Sequence, residues 1–426
     1  MSYDVAVIGL GTAGAAAASL CAQNGLRVVG LESGALTRAG ARWVNAVPGW
    51  HFDQATIARP TGPELLGNGG TMHLVAGWGP TRVRLRTSDV LEVDMRALVQ
   101  RLQDDASRAG AHIRGDVRVQ RVTDTGVETS SGPVDARWIV DASGLAGLRL
   151  LVQQRPEPTN ICVAAQGVHQ IADREAAHDF FAKHDVPVGE TLCFSGIAGG
   201  YSIVNVRLHA DEVFLLTGSV PADGVPSGPE LLASFCSTHP WVGERLFGGQ
   251  RALPLQRPPA FVGRDRVAAI GDAASQVYGP HGSGIGQQLM AARILAEQFA
   301  SGAGPDGYNM QWQRERGGLL ASVDLFRRFS QYLKPDDLQR MMAGGVFQPE
   351  LFSQGLSQRD ARPSPIEALK AVIGLARVPR LAAGMLPVLL KTPLIELHYS
   401  RYPSDPAKVG KWTRRLDRLT GVQTKP

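Results

Sequence analysis

The stretch Tyr3-Asp4-Val5-Ala6-Val7-Ile8-Gly9-Leu10-Gly11-Thr12-Ala13-Gly14 decides the fold. Its first half is a short apolar run of the kind that forms a buried strand, and its second half is a glycine turn. Ala15 to Asn24 follows as an alanine-rich helix, and Leu26 to Leu31 as a second strand closed by Glu32 and Ser33. Each glycine has its own task in such a strand–turn–helix unit. Gly9 permits the tight turn, Gly11 lets the backbone approach a pyrophosphate, and Gly14 lets helix and strand pack closely. The helix N-terminus then presents free N–H groups and a partial positive charge to the phosphates. Thr12 and Ala13 sit at that N-terminus, and Glu32 can take the ribose hydroxyls. The pattern reads as a dinucleotide-binding hook, and by itself it does not choose between FAD and NAD.

The chain of 426 residues suits a large two-domain protein or one domain with an appendage, with ample length for a core. A 44% hydrophobic and 19% charged composition is that of a soluble globular protein. Four scattered cysteines without a C-x-x-C pair argue against disulfides and a thiolate metal site, and for a reducing, cytoplasmic setting. No secretory signal precedes the first strand. No apolar run reaches the ~18 residues expected of a membrane span. The net charge of +5 is uneven: Pro365 to Pro426 holds 11 Lys+Arg against 4 Asp+Glu, or +7, leaving −2 for the rest. This basic tail reads either as a solvated helix or as a docking surface for an acidic protein or anionic lipid. The charge is not interleaved with aromatic residues, so nucleic acid is not an expected partner. Residues after about 395 are expected to be dispensable for cofactor binding.

Residues 34–93 carry little periodicity, and Leu66-Gly67-Asn68-Gly69-Gly70 reads as a loop or turn. Val93 to Ala109 has a helical apolar face, and Arg137 to Asp141 is a buried strand leading into Asp141-Ala142-Ser143-Gly144. Asn160 to Gln170, Thr191 to Ser195, Tyr201 to Leu208 and Glu212 to Val220 form an antiparallel meander. Arg266 to Ile270 returns as a buried strand, followed by Gly271-Asp272-Ala273-Ala274 and a helix over Gly284 to Ala300. From about 309 the chain is helical, and Pro363, Pro365, Pro379, Pro387 and Pro393 are expected to cut it into short pieces.

Gly271-Asp272-Ala273-Ala274, with the following Pro280-His281-Gly282-Ser283-Gly284-Ile285, resembles the second flavin fingerprint of glutathione-reductase-type FAD proteins. In that resemblance Gly271 and Asp272 hold the ribityl chain. Pro280, Gly282, Gly284 and Ile285 let the flavin lie close to a helix dipole. Arg96, at the start of a helix between the two fingerprints, would contact the phosphates. Val119, Asp141 and Gly144 would line the cofactor through backbone packing. The three fingerprints resemble the p-hydroxybenzoate-hydroxylase-like branch, which includes aromatic hydroxylases, flavin-dependent halogenases and geranylgeranyl reductases. The implied fold is α/β: a Rossmann-like FAD domain with a three-layer parallel sheet, an inserted antiparallel-sheet substrate domain and a C-terminal helical appendage. The corresponding boundaries are residues 1–149 with 252–305, then 150–251, then 306–426.

One fold hosts many reactions. The Gly11-Thr12-Ala13-Gly14 wording is similar to the hook of the tryptophan halogenases. No lysine precedes Lys183, however, and Trp78 stands alone where that family has W-x-W-x-I-P, so halogenation is disfavoured. Gly199-Gly200-Tyr201-Ser202-Ile203-Val204-Asn205 resembles part of the geranylgeranyl reductase motif G-G-Y-x-W-x-F-P, departing at the later aromatic and proline positions. FAD-dependent alkene reduction is therefore one alternative, and a non-catalytic flavin-binding partner protein another. The leading expectation is a monooxygenase that hydroxylates an aromatic substrate through a flavin C4a-hydroperoxide. O2 would be its co-substrate and NAD(P)H a transiently bound reductant, since no second glycine hook is present. His281 is the candidate proton donor, with His73 and Tyr201 as weaker catalytic candidates. The halogenase-like hook without halogenase chemistry also resembles flavoproteins that hydroxylate a tryptophan within another polypeptide in quinone cofactor biogenesis. The expected partner is thus an aromatic small molecule or a protein or peptide docking near the basic tail.

Overall fold

The computed structural model describes residues 2–151, 155–359 and 365–421. The chain opens with β1 (Ser2–Ile8), α1 (Thr12–Gln23) and β2 (Val28–Leu31). It then leaves for β3 (Val44–Pro48), α2 (Trp50–Gln54) and the long hairpin of β4 (Leu65–Ala76) and β5 (Arg82–Asp94). It returns through α3 (Met95–Arg108), β6 (His112–Arg114), β7 (Val119–Val122), β8 (Gly126–Thr129) and β9 (Gly132–Asp141). A second excursion builds β10 (Ile161–Ile171), α4 (Arg174–Lys183), β11 (Thr191–Ser195), β12 (Ser202–His209) and β13 (Glu212–Ser219). It ends with α5 (Gly228–Thr238) and β14 (Val242–Pro254). Then come β15 (Gly263–Arg264), β16 (Val267–Ala269) and α6 (Ile285–Ala300).

The first sheet has the order β15-β16-β9-β1-β2-β6, with β7 and β8 extending from β9. Its central pairs are parallel, Val5 lying beside Val28 on one side and Trp138 on the other. The direction of winding reverses at β1, and the crevice beyond the carboxyl end of that strand is where such sheets bind ligands. Ala15 to Ala18 are fully buried, because α1 is wedged between the sheet, α3 and α6. Only small side chains permit that approach.

The second sheet has the order β14-β10-β13-β12-β11-β4-β5-β3 and is antiparallel except between β11 and β4. One face buries Val204, Val206, Leu215, Phe181, Phe235 and Trp241 under α4 and α5. The segment 66–70, expected as a loop, lies within β4. Its glycines are absorbed by a register shift between Asn68 and Gly70, with Gly69 at φ +69°. A bulge accommodates what a regular strand would reject.

The remaining helices are α7 (Gly304–Trp312), α8 (Gly318–Gln331), α9 (Pro335–Ala343), α10 (Pro349–Leu356), α11 (Pro365–Ala376), α12 (Pro379–Ser400) and α13 (Val409–Thr420). A π-helical turn, Gln313–Gly317, joins α7 to α8. Pro387 and Pro393 lie inside α12 and do not cut it, and both face outward. On that face the missing N–H and the carbonyl freed four residues earlier stay near solvent, which lowers the penalty. The helix also modifies the expectation about apolar runs. α12, 22 residues long, contains an 18-residue stretch apolar enough, by length and composition, to cross a membrane. The C-terminal helices pack on the rest of the chain. Ile395, Tyr399, Trp412 and Leu416 share a buried cluster with Ala321 and Leu325 of α8, and Arg257 pairs with Asp417 at 2.6 Å. Residues after 395 are core structure.

Candidate functional site

The turn after β1 has a backbone that only glycine supports at two points. Gly9 has φ +92°, and a Cβ there would lie 2.5 Å from the carbonyl oxygen of Ala142. A Cβ on Gly14 would lie 1.9 Å from the carbonyl oxygen of Gly9. Gly11 caps α1 without a side-chain hydrogen bond, which leaves the first N–H groups of the helix facing a cleft. Gly284 caps α6 in the same way. Both helix N-termini converge on one cleft, lined by Gly11, Thr12, Ala13, Ala142, Gly144, Gly271, Asp272, Gly282, Gly284 and Ile285. Two dipoles of like sign aimed at one space favour an anionic ligand.

Asp272 stands at the floor of this cleft. Its Oδ1 accepts from Gln288 Nε2 at 3.0 Å, and Arg251 Nε lies 3.8 Å from Oδ2. Burial pushes its carboxyl above the usual range against the pull of Arg251 and Gln288. With few protein partners, the carboxylate has lone pairs left for ligand hydroxyls. Gly271 is held at φ +75° by donation of its N–H to Gln276 Oε1 at 2.7 Å, and Gln276 Nε2 in turn donates to Tyr308 at 2.7 Å.

The loop from Pro280 to Gly284 closes one side. The Ser283 hydroxyl and His281 Nε2 are buried without a hydrogen-bond partner. Burial drives the His281 pKa down to about 4, so the ring is neutral at neutral pH, while backbone carbonyls of His281 and Gly355 hold it. Tyr201, immediately before β12, donates to the carbonyl of Gly279 at 2.9 Å, and its hydroxyl lies 3.4 Å from where a Gly282 Cβ would sit. Behind the loop, His51 is fully buried and its pKa is lowered to about 3, first by desolvation and then by Arg316. It stacks on Trp50 at 3.7 Å, and Gln287 and Gln358 continue the polar cluster.

The second sheet supplies a wall. Cross-strand register puts Leu74, Cys193, Asn205, Leu216 and Gln166 in one row on the face opposite α4 and α5. Ile203, Gly218, Ala164 and Arg251 form the next row. Arg251 lines the cleft together with Gly11 and Gly271, so this face looks toward the dinucleotide domain, and Gln166 clamps the backbone of Val44 in β3 at 2.6 and 2.8 Å. Met72, Leu74, Ile203, Asn205 and Leu216 are only half-buried. The amide Oδ1 of Asn205 is buried with no partner. The face that bears Arg251 thus carries a mainly apolar strip with one unsatisfied acceptor, and Leu74 at one end of it packs on the cluster of Leu338 and Met341.

Some expected residues stand apart from the cleft lining. Glu32 accepts from Leu10 N–H at 2.8 Å and from Ser33 at 3.1 Å, beside the hook. Arg96 folds back on its own helix cap, Asp94, at 2.6 Å and lies over Phe247 at 3.9 Å. Asp141 staples its own loop, accepting from Ser143 and Leu150 N–H. Val119 is buried in the core under β2. His73 lies in the row with Leu192 and Val206 on the α4 side of the sheet, paired with Glu190 at 2.5 Å. The register turns its side chain away from the cleft. Sequence reasoning missed Gly40, Ala41, Trp43, Asn45, Arg251 and Gln288, all in the cleft lining. They come from three separate segments, and no local motif marks any of them.

No protein-family profile matches the chain. The digeranylgeranylglycerophospholipid reductase of Sulfolobus acidocaldarius is 25% identical over 461 aligned positions, covering 98% of this chain and 97% of that one. Protein FixC of Escherichia coli K12 is 25% identical over 393, covering 80% and 87%. Among solved structures, a geranylgeranyl bacteriochlorophyll reductase-like protein from Thermoplasma acidophilum superposes with a TM-score of 0.71 at 17% identity, over 91% of this chain and 99% of that one. Halogenase PltM in complex with phloroglucinol and FAD gives 0.63 at 16% identity, over 98% and 95%. The fold is that of the FAD-binding Rossmann-type flavoproteins. The cleft suits FAD on its own chemistry: one uncapped helix end at Gly11 for the pyrophosphate, a second at Gly284 for the flavin, a sparsely bonded aspartate for hydroxyls, and orphaned Ser283 and His281 atoms.

Proposed function

We propose that this chain, an FAD-dependent oxidoreductase of the superfamily that holds geranylgeranyl reductases, FixC and the flavin-dependent halogenases, reduces a carbon–carbon double bond in an apolar, isoprenoid-type substrate. The observation that carries this reading is the row of half-buried apolar side chains, Met72, Leu74, Ile203 and Leu216, on the sheet face that also bears Arg251 of the cleft lining. The end-to-end relationship with an isoprenoid-lipid reductase supports it. When bound, FAD supplies a two-electron carrier. The strip aligns the chain of the substrate and excludes water. The two uncapped helix N-termini favour negative charge in the cleft. Tyr201 keeps its proton, because burial raises its phenol well above the ordinary range, and it acts as a positioning residue through Gly279. Reduction adds two electrons and two protons across the alkene, and the electrons come from a nicotinamide or an equivalent donor.

The test is anaerobic. The chemically reduced protein is mixed with a geranylgeranyl lipid while flavin absorbance and product mass are followed. Reoxidation without O2 and a product heavier by one pair of hydrogens support the reading. Reduced flavin that persists until O2 is admitted would overturn it.

A second reading, hydroxylation of an aromatic ring, is favoured by one observation. Asn205 breaks the apolar wall with a buried acceptor that an indole or phenol hydrogen can satisfy. Here O2 is the co-substrate, NAD(P)H the reductant, and a tryptophan of a partner polypeptide one candidate substrate. Oxygen incorporated from O2 into the product distinguishes it from reduction.

A further inference from the structure

α12 has two opposite faces. Met385, Ile395 and Tyr399 are buried, against α8, α13 and the helices around α9. On the other side Leu386, Leu389, Leu390, Leu394 and Leu397 are between 49% and 62% exposed, joined by Ala383 and the two prolines. Spacings of three and four residues place Leu386, Leu390, Leu394 and Leu397 in one stripe. From Ala383 to Leu397 it runs roughly 20 Å along the helix. No described residue covers it. Ile366 and Ile373 of the adjoining α11 are exposed as well.

Cations surround this stripe. Arg377, Arg380 and Lys370 lie exposed at its N-terminal end, and Lys391 is half-buried beside it. Beyond its C-terminal end, α13 packs on α12 through Trp412, which stacks on His398 at 4.8 Å. The outer side of α13 exposes Lys411, Arg414, Arg415 and Arg418. The region from Pro365 carries +7 while the rest of the chain carries −2.

We propose that α12 and α13 form a monotopic docking surface for an anionic lipid bilayer, with the leucine stripe of α12 lying in the plane of the interface. A helix whose other face is packed on the protein lies on a membrane and does not cross it. The stripe is a bare helix face with no recess and few polar groups, which gives a protein partner little to read. A bilayer asks only for apolar area and nearby cations. A second copy of this chain is opposed by charge, since joining two such faces sets +7 against +7. The inference stands whichever reaction the cleft performs.

The test is flotation of the full-length, flavin-loaded protein with vesicles of phosphatidylcholine and phosphatidylglycerol at about a 7:3 ratio. The expected result is flotation with these vesicles, much less with phosphatidylcholine alone, and release by salt. Leu390→Asp combined with Leu394→Asp is expected to abolish flotation while flavin content is kept, because both side chains are exposed. Arg414→Glu with Arg415→Glu is expected to lower binding roughly tenfold or more. Failure of the parent protein to float overturns the proposal. So does flotation that ignores both pairs of changes. A parent protein that is dimeric by light scattering and made monomeric by the leucine changes, without vesicle binding, would assign the stripe to a second copy instead.

Discussion

The hydroxyl of Tyr201, immediately before β12 of the second sheet, donates to the carbonyl of Gly279 at 2.9 Å, bolting that sheet to the loop that carries His281. One bond therefore couples two parts of the chain 78 residues apart. Neither its strand nor its loop can move alone without leaving a buried group unpaired.

Tyr201→Phe is expected to lower stability by about 1 kcal/mol, the worth of one buried hydrogen bond. As a positioning residue, Tyr201 should affect KM more than kcat, and the pH profile should not move. A kcat that collapses with unchanged KM would make it the proton donor. Thermal melts and steady-state kinetics read both.

Gly11→Val is expected to remove FAD. Even a Cβ at this position approaches Gly40 Cα to 3.2 Å, and the branched methyls project into the space of the pyrophosphate. The flavin-to-protein absorbance ratio checks it, and stoichiometric flavin in the variant would refute the hook.

Asp272→Ala is expected to weaken FAD binding about 10- to 100-fold, the loss of one charge-assisted contact. Asp272→Asn should retain part of it, because Gln288 can turn its amide. Titration of the apoprotein with FAD by flavin fluorescence measures both.

Acid should destabilise the fold through His51 and His281. Their folded pKa values, about 3 and about 4, lie below the ordinary 6.5, so the unfolded chain binds more protons between those limits. Their stabilising contribution is complete above about pH 6.5 and is lost as pH falls toward 4 and then 3. The shifts correspond to about 5 kcal/mol for His51 and about 3 kcal/mol for His281, and the two are coupled. Melting temperature against pH should decline over this window, and less steeply in His51→Gln.

Trp412→Ala is expected to cost about 3–5 kcal/mol, as for any large buried aromatic residue. Trp412 donates to the carbonyl of His398 at 3.0 Å and packs edge-on against Tyr399 and Tyr402. Limited proteolysis should then cut within α12 and α13. A fully soluble chain truncated after 395 would contradict the place of these helices in the core.

The first strand, glycine turn and helix were legible because each is built from contacts within about thirty residues. The second fingerprint at Gly271-Asp272 was legible for the same reason. The run at 66–70 was misread because five residues with three glycines carry no periodicity of their own, and only pairing with β5 makes them a strand. His73 was attractive as a residue type. Its face depends on register with β11, and a shift of one residue would invert it.

By itself, the sequence determined the dinucleotide hook, the second fingerprint, the helical C-terminal third and the charge asymmetry. These rest on local backbone requirements and on composition, which no tertiary contact changes. Only the tertiary structure decided that Arg251, Trp43 and Gln288 share one cleft, that His73 looks away from it, that the tail is core, and that α12 shows leucines outward. Those facts depend on which faces of distant elements meet. Hydrophobic burial leaves such pairings open until the whole chain has packed.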